Sequence, residues 1–272
     1  MGFGHILETG ISQGQLTRYA CMALANARII PRKKRYDLGL VPRPHYAYGI
    51  RSAAWEARKL GLAGITVVEF GVAGGNGLVA MEDHAVAIEQ ETGVSIRVVG
   101  FDSGGGLPAP ETYKDAPFLW AGGDFAMDQV KLRSRLSRAE LVLGDVRDTV
   151  GEFVSNVDPS QPIGFVSFDL DYWSSTVAAF DIFRSNAEGC LPRVWCYFDD
   201  IIAMTPDIGE LLAIDEFNEE FTDRKVRHPY ALRTNLPFRP VWANQMFQAH
   251  FFEHPRYATL ITDVKDRELP LQ

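Results

Sequence analysis

The chain has 272 residues, 46% of them hydrophobic and 23% charged, and carries a net charge of −8. A chain of this size can bury one large core, and its acidic balance argues against a nucleic-acid substrate, because phosphate binding needs a basic face. The three cysteines, Cys21, Cys190 and Cys196, include no C-x-x-C pair, which speaks against a zinc site or redox pair and fits a reducing cytoplasm.

The N-terminal stretch MGFGHILETG has no basic segment leading into an apolar one, so no secretory leader is expected. Ile6 breaks the myristoylation pattern, and no apolar run is long enough to span a bilayer. Residues 11–30 are expected to form one amphipathic helix, with Leu16, Tyr19, Ala20, Ala23, Ala27 and Ile30 on one side. The basic run Arg32 to Arg35 reads as a solvated loop, and Pro31, Pro42 and Pro44 punctuate the segment that holds it. Residues 1–50 are therefore read as a helical and loop extension, either a lid or an oligomer contact, ahead of a main domain over 51–272.

From residue 50 onward, helix and strand patterns alternate. Residues 50–62 read as a helix, TVVEF (66–70) as a buried strand, and 78–91 as a helix ended by Gly93. SIRVVGFD (95–102) is the second strand, followed by a proline-rich loop and a helix over 125–137. AELVLGD (139–145) is a strand, 149–156 a short helix, and IGFVSFD (163–169) a strand. A helix over 174–187, opened by Ser174 or Ser175 as N-cap, leads to the strand RVWCYFDD (193–200) and a helix over 208–221. MFQAHFFEH (246–254) and YATLIT (257–262) read as two late strands, too close together for a helical crossover. The alternation predicts an α/β fold with a doubly wound, mostly parallel Rossmann-like sheet and an antiparallel C-terminal strand pair.

In open α/β sheets, ligands bind beyond the carboxyl ends of the strands, and here every predicted core strand ends in acid: Glu69, Asp102, Asp145, Asp169 and the pair Asp199-Asp200. Each has a bland explanation as a cap or turn residue; together they would repel one another, and a cationic ligand or a metal is the simpler account. The glycine turn in VVEFGVAGGNG (67–77) lets a ligand approach backbone N–H groups at a helix N-terminus. Its E-x-G-x-x-x-G-x-G spacing differs from the G-x-G-x-x-G of dinucleotide folds. Asp102 is placed to bridge ribose hydroxyls. Asp145 is read either as an adenine neighbour or as a helix cap. In FDLDYWSST (168–176), Asp169 and Asp171 would project the same way if the strand continued. With Asp199 and Asp200 they make a hard, all-oxygen site that suits Mg²⁺.

The run EFGVAGGNG, GFDSGGGLP, GGDF, LGDVRDT, FDLDYWSST and YFDD, covering roughly residues 65–205 in order, resembles the macrocin O-methyltransferase family. These are metal-dependent sugar O-methyltransferases that use S-adenosylmethionine (SAM). The resemblance implies that Glu69, Gly71, Gly75 and Asn76 line the methionine end of SAM, that Asp102 and Ser103 hold the ribose, and that Asp145 lies near the adenine. It implies that Asp169, Asp199 and Asp200 bind Mg²⁺ and that Asp171 is the general base. The chain departs from the family pattern at Gly104 and Gly105, at GCLPR (189–193) and at Trp173, departures that bear on the acceptor more than on the cofactor. The expected partner is a small hydroxylated acceptor, with neither nucleic acid nor membrane, in a cytoplasmic protein; a homo-oligomer is left open by residues 1–50. Two rival readings remain, a metal-dependent nucleotide-sugar glycosyltransferase using FDLD as a D-x-D motif, and a SAM-binding protein that transfers nothing. A nicotinamide oxidoreductase is disfavoured by the glycine spacing.

Overall fold

The structure, a computed structural model, describes residues 13–26, 29–201 and 204–262. Three helices open it: α1 (Gln13–Asn26), α2 (Arg32–Asp37) and α3 (Pro44–Lys59). Then follow β1 (Gly64–Phe70), α4 (Asn76–Thr92), β2 (Ser95–Asp102), α5 (Gln129–Arg135), β3 (Glu140–Leu143), α6 (Val146–Ser155) and β4 (Ile163–Phe168). The remainder comprises α7 (Trp173–Ala179), α8 (Asp181–Arg184), β5 (Cys190–Phe198), α9 (Gly209–Glu220), β6 (Arg224–Arg227), α10 (Leu232–Asn235) and β7 (Met246–Phe251).

The strands form one seven-stranded sheet in the order β3-β2-β1-β4-β5-β7-β6. β1 to β5 pair in parallel, and β7 runs antiparallel to both β5 and β6. This is the doubly wound, mostly parallel α/β architecture expected from the sequence. β1 is central and buried along its whole length, as the apolar run of a strand covered on both faces requires. Alternation sends β4 side chains to opposite layers. Phe165 presses on Gly49 of α3, where an added Cβ would lie 2.3 Å from the ring. Phe168 instead meets Phe180 and Phe183 beneath α7 and α8, with ring centroids 5.2 and 5.9 Å away. Among the described residues, no helix is long and apolar enough to cross a membrane.

The structure corrects several local expectations. YATLIT is not a strand; the antiparallel partner of β7 is Arg224–Arg227, with Val226 paired to Ala249. The helix after β4 is two short pieces, and its N-cap is Tyr172, not Ser174 or Ser175. Its free N–H at Ser174 is bound from outside, by Asp115 Oδ1 at 2.8 Å. Only 129–135 of the helix expected over 125–137 forms, opened by Asp128, whose side chain accepts the Lys131 N–H. In α1, Ala20 and Ala23 are exposed while Ala25 is buried, so the expected apolar stripe does not face the core there. The side chains of Leu16 and Tyr19, and all of Ala27, lie outside the described residues.

Candidate active site

Beyond the carboxyl ends of β1 to β5 lies a cavity of about 590 Å³. Backbone hydrogen bonds carry the parallel register past the strand ends and line up its edge. Gly71 N donates to Phe101 O, Gly144 N to Asp102 O, Asp169 N to Phe70 O and Asp199 N to Phe168 O, all at 2.9–3.0 Å. Gly71 has φ +82°, and a Cβ there would sit 1.7 Å from Asp169 O, so only glycine allows these two strand ends to touch. Gly77 is needed for a different contact: its Cβ would lie 1.8 Å from Glu69 Oε1.

Of the residues expected to hold a cofactor, Gly71, Asp102, Ser103 and Asp145 line the cavity; Glu69, Gly75 and Asn76 do not. Asp102 accepts three backbone N–H groups: Val72 at 2.9 Å and Ala73 at 2.8 Å on Oδ2, and Gly104 at 2.6 Å on Oδ1. It thereby pins the glycine turn after β1 to the end of β2. Ser103 Oγ is tied into its own loop, donating to Gly106 O and accepting from Gly105 N. Asp145 caps α6 through Arg147 N at 2.9 Å, one of the two readings the sequence left open, and it also lines the cavity. Asn76 Oδ1 accepts from Arg135 at 2.9 Å. Glu69 is buried behind the wall, where its Oε1 accepts from Tyr46 at 2.7 Å and Ser167 donates to the same Tyr46 oxygen at 2.8 Å. Its Oε2 has no partner, and burial pushes its pKa up to about 7.

At the β4–β5 side, Asp169, Asp199 and Asp200 each bring a carboxylate oxygen to within 4.8 Å of the others. Burial and the charges of Asp199 and Asp200 push Asp169 up to about 9. Burial and Asp199 raise Asp200 to about 6. β4 stops at Phe168, so Asp171 is not placed by strand alternation; it turns into the cavity at φ +61°, its N–H donating to Asp200 Oδ2 at 3.2 Å. Burial, then Asp200 and Asp199, raise its carboxyl to about 7. Among the described residues, no arginine or lysine forms an ion pair with Asp169, Asp199 or Asp200.

Residues the sequence reading missed complete this side. Tyr197 donates to Asp199 Oδ1 at 2.6 Å, and Gln245 donates to the Asp199 carbonyl at 2.7 Å. His45, both ring nitrogens unpartnered, stacks on Tyr197 with centroids 4.0 Å apart. Fully buried Glu210 accepts the Asp200 N–H on Oε2 at 3.1 Å and leaves Oε1 without a partner. Burial, then Asp200 and Asp169, push its carboxyl well up. An acid in the first turn of a half-apolar helix, GELLAIDEF, was the available signal. Converging oxygens and mutual repulsion at Asp169, Asp199 and Asp200 fit a hard divalent cation, which takes oxygen ligands and would cancel the like charges.

No family model matches the chain, and no curated protein matches it. Among solved structures, CalS11, a calicheamicin methyltransferase, is 22% identical over 76% of this chain and 86% of its own, with a TM-score of 0.47. The O-methyltransferase NovP is 17% identical over 72% and 84%, with a TM-score of 0.48. An O-methyltransferase from Bacillus cereus in complex with SAH is 14% identical over 89% and 91%, at 0.40. Likenesses this distant carry no chemistry across, and the site is read from its own residues.

Proposed function

We propose that the chain is a SAM-dependent O-methyltransferase acting on a hydroxyl of a small molecule, a sugar or glycosylated natural product, with Mg²⁺ held by Asp169, Asp199 and Asp200. One observation carries this reading: a single cavity joins a glycine turn braced by Asp102 to a cluster of three converging carboxylates. When bound, SAM supplies a methyl group on a sulfonium, and its transfer to a hydroxyl oxygen releases one proton. A divalent ion at the cluster supplies positive charge that eases ionisation of a nearby hydroxyl.

The chain's own residues do the rest. Gly71 and Ala73 bring the turn after β1 to the cavity wall, held in shape by Asp102. Asp171 takes the released proton on its carboxylate, which burial holds above its ordinary value. Tyr197 and Gln245 fix Asp199, and Glu210 fixes the backbone of Asp200. The glycosyltransferase reading needs Asp169 and Asp171 to act as one metal pair, but the cluster takes its other acids from the end of β5. The test is formation of S-adenosylhomocysteine from SAM across a panel of hydroxylated acceptors with Mg²⁺. Product that disappears with EDTA supports the reading; SAM left unconsumed alongside turnover of a nucleotide sugar supports the rival.

A further inference from the structure

Part of the cavity lining is of a character opposite to the acidic cluster. Leu107, Pro108, Trp120 and Phe125 line the same cavity as Asp169, Asp171, Asp199 and Asp200. The Trp120 and Phe125 rings meet edge to face, with centroids 5.8 Å apart. Phe125 is 53% exposed and holds φ +61°, an unfavourable conformation for a bulky side chain. Trp120 Nε1 is shielded from solvent and has no hydrogen-bond partner.

The loop bearing these rings is held from its foot. Asp115, fully buried, accepts the N–H groups of Glu111, Thr112 and Ser174. Lys114 pairs with Glu216 at 2.7 Å and lies over the Trp173 ring. At the neck, Leu107 N donates to Asp124 O and Gly123 N to Leu107 O, both at 2.8 Å. The rings are thus positioned before any ligand arrives. The rings share this cavity with Asp171, the residue assigned to take the acceptor's proton.

A saccharide can lay only a C–H face on Leu107, Pro108 and Phe125, which offer its rim hydroxyls no side-chain partner. A flat ring stacks on such a surface and makes no directional demand. We propose that the acceptor carries its reacting hydroxyl on, or one sugar away from, a flat aromatic ring that lies against Trp120 and Phe125. This rests on the methyltransferase reading.

The test uses two glucosides with the same sugar, 4-methylumbelliferyl β-glucoside and methyl β-glucoside, titrated into the full-length protein saturated with S-adenosylhomocysteine and Mg²⁺. The aryl compound is expected to bind about ten-fold more tightly. Trp120→Ala should erase that preference, and Trp120→Phe, which keeps a ring face but no N–H, should retain part of it. S-adenosylhomocysteine affinity should be unchanged in both variants, which also reports that they fold. Equal affinity for the two glucosides, binding of neither, or a preference that survives Trp120→Ala overturns the inference. If the wild-type protein does not bind S-adenosylhomocysteine at all, the methyltransferase reading itself falls, a result distinct from the others.

Discussion

On the β2–β3 side of the cavity the acids already have donors, whereas on the β4–β5 side they face one another. Asp102 accepts three backbone N–H groups, and Asp145 caps a helix. Asp171 is buried, Asp169 and Asp200 half-buried, all beside like charges and pushed up to about 7, 9 and 6. One side chain type therefore plays two parts. Where several backbone N–H groups converge on a carboxylate, it shapes a loop; where Asp200 receives one backbone N–H and Asp199 one tyrosine hydroxyl, like charges are left facing one another. The difference separates acids that build the site from acids that would hold a ligand, although both end a parallel strand.

The comparison can be broken at either side. The largest effect is expected from Asp200→Ala: removing one of three ligands should weaken Mn²⁺ binding, read by electron paramagnetic resonance, by more than ~100-fold. S-adenosylhomocysteine binding should survive. Asp171→Asn comes next, with turnover falling by about 10²–10⁴-fold while S-adenosylhomocysteine affinity stays within two-fold of wild type, roughly. Full turnover in that variant would remove Asp171 from the reaction. Asp102→Ala should act on the other half, weakening S-adenosylhomocysteine binding by about ten-fold or more through the unbraced glycine turn, with Mn²⁺ binding retained. Loss of both ligands together would mean that the two halves are not separable.

A smaller effect follows from the raised carboxyls. Asp169 has an ordinary value of 3.8 and a folded value of about 9, so between those limits the folded chain binds more protons than the unfolded one. The metal-free protein should therefore lose stability as pH rises from about 4 to about 9. Excess Mg²⁺ should restore it at the alkaline end, and thermal denaturation at several pH values reads both. A melting temperature that rises with pH in EDTA would contradict the repulsion. Smallest is Glu210→Gln, which keeps an acceptor for the Asp200 N–H and should cost about ten-fold or less in metal affinity.

Much of this arrangement was legible in the chain. β1 to β5 announce themselves as apolar runs ending in acid, because a strand covered on both faces has little room for anything else until it reaches solvent. The remainder depends on contacts between distant segments. Arg224–Arg227 carries no strand pattern of its own because only Val226 is buried, and it becomes a strand by pairing with β7. The cap of α7 comes from Asp115, on a loop that precedes two further strands. The partnership of Glu210 with Asp200 joins a helix start to a strand end, and periodicity does not report it. Asp171 was found by a period-two argument that fails locally, since β4 ends first; a left-handed turn delivers it to the cavity instead.

The central claim is that one cavity holds SAM at its glycine-turn side and a divalent ion at its acidic side. Calorimetric titration of S-adenosylhomocysteine, once with Mg²⁺ and once with EDTA, tests it most directly. The expected result is micromolar binding in both conditions with a measurable change in affinity or heat between them. Absence of binding in both would contradict the claim and return the acidic cluster to the nucleotide-sugar reading.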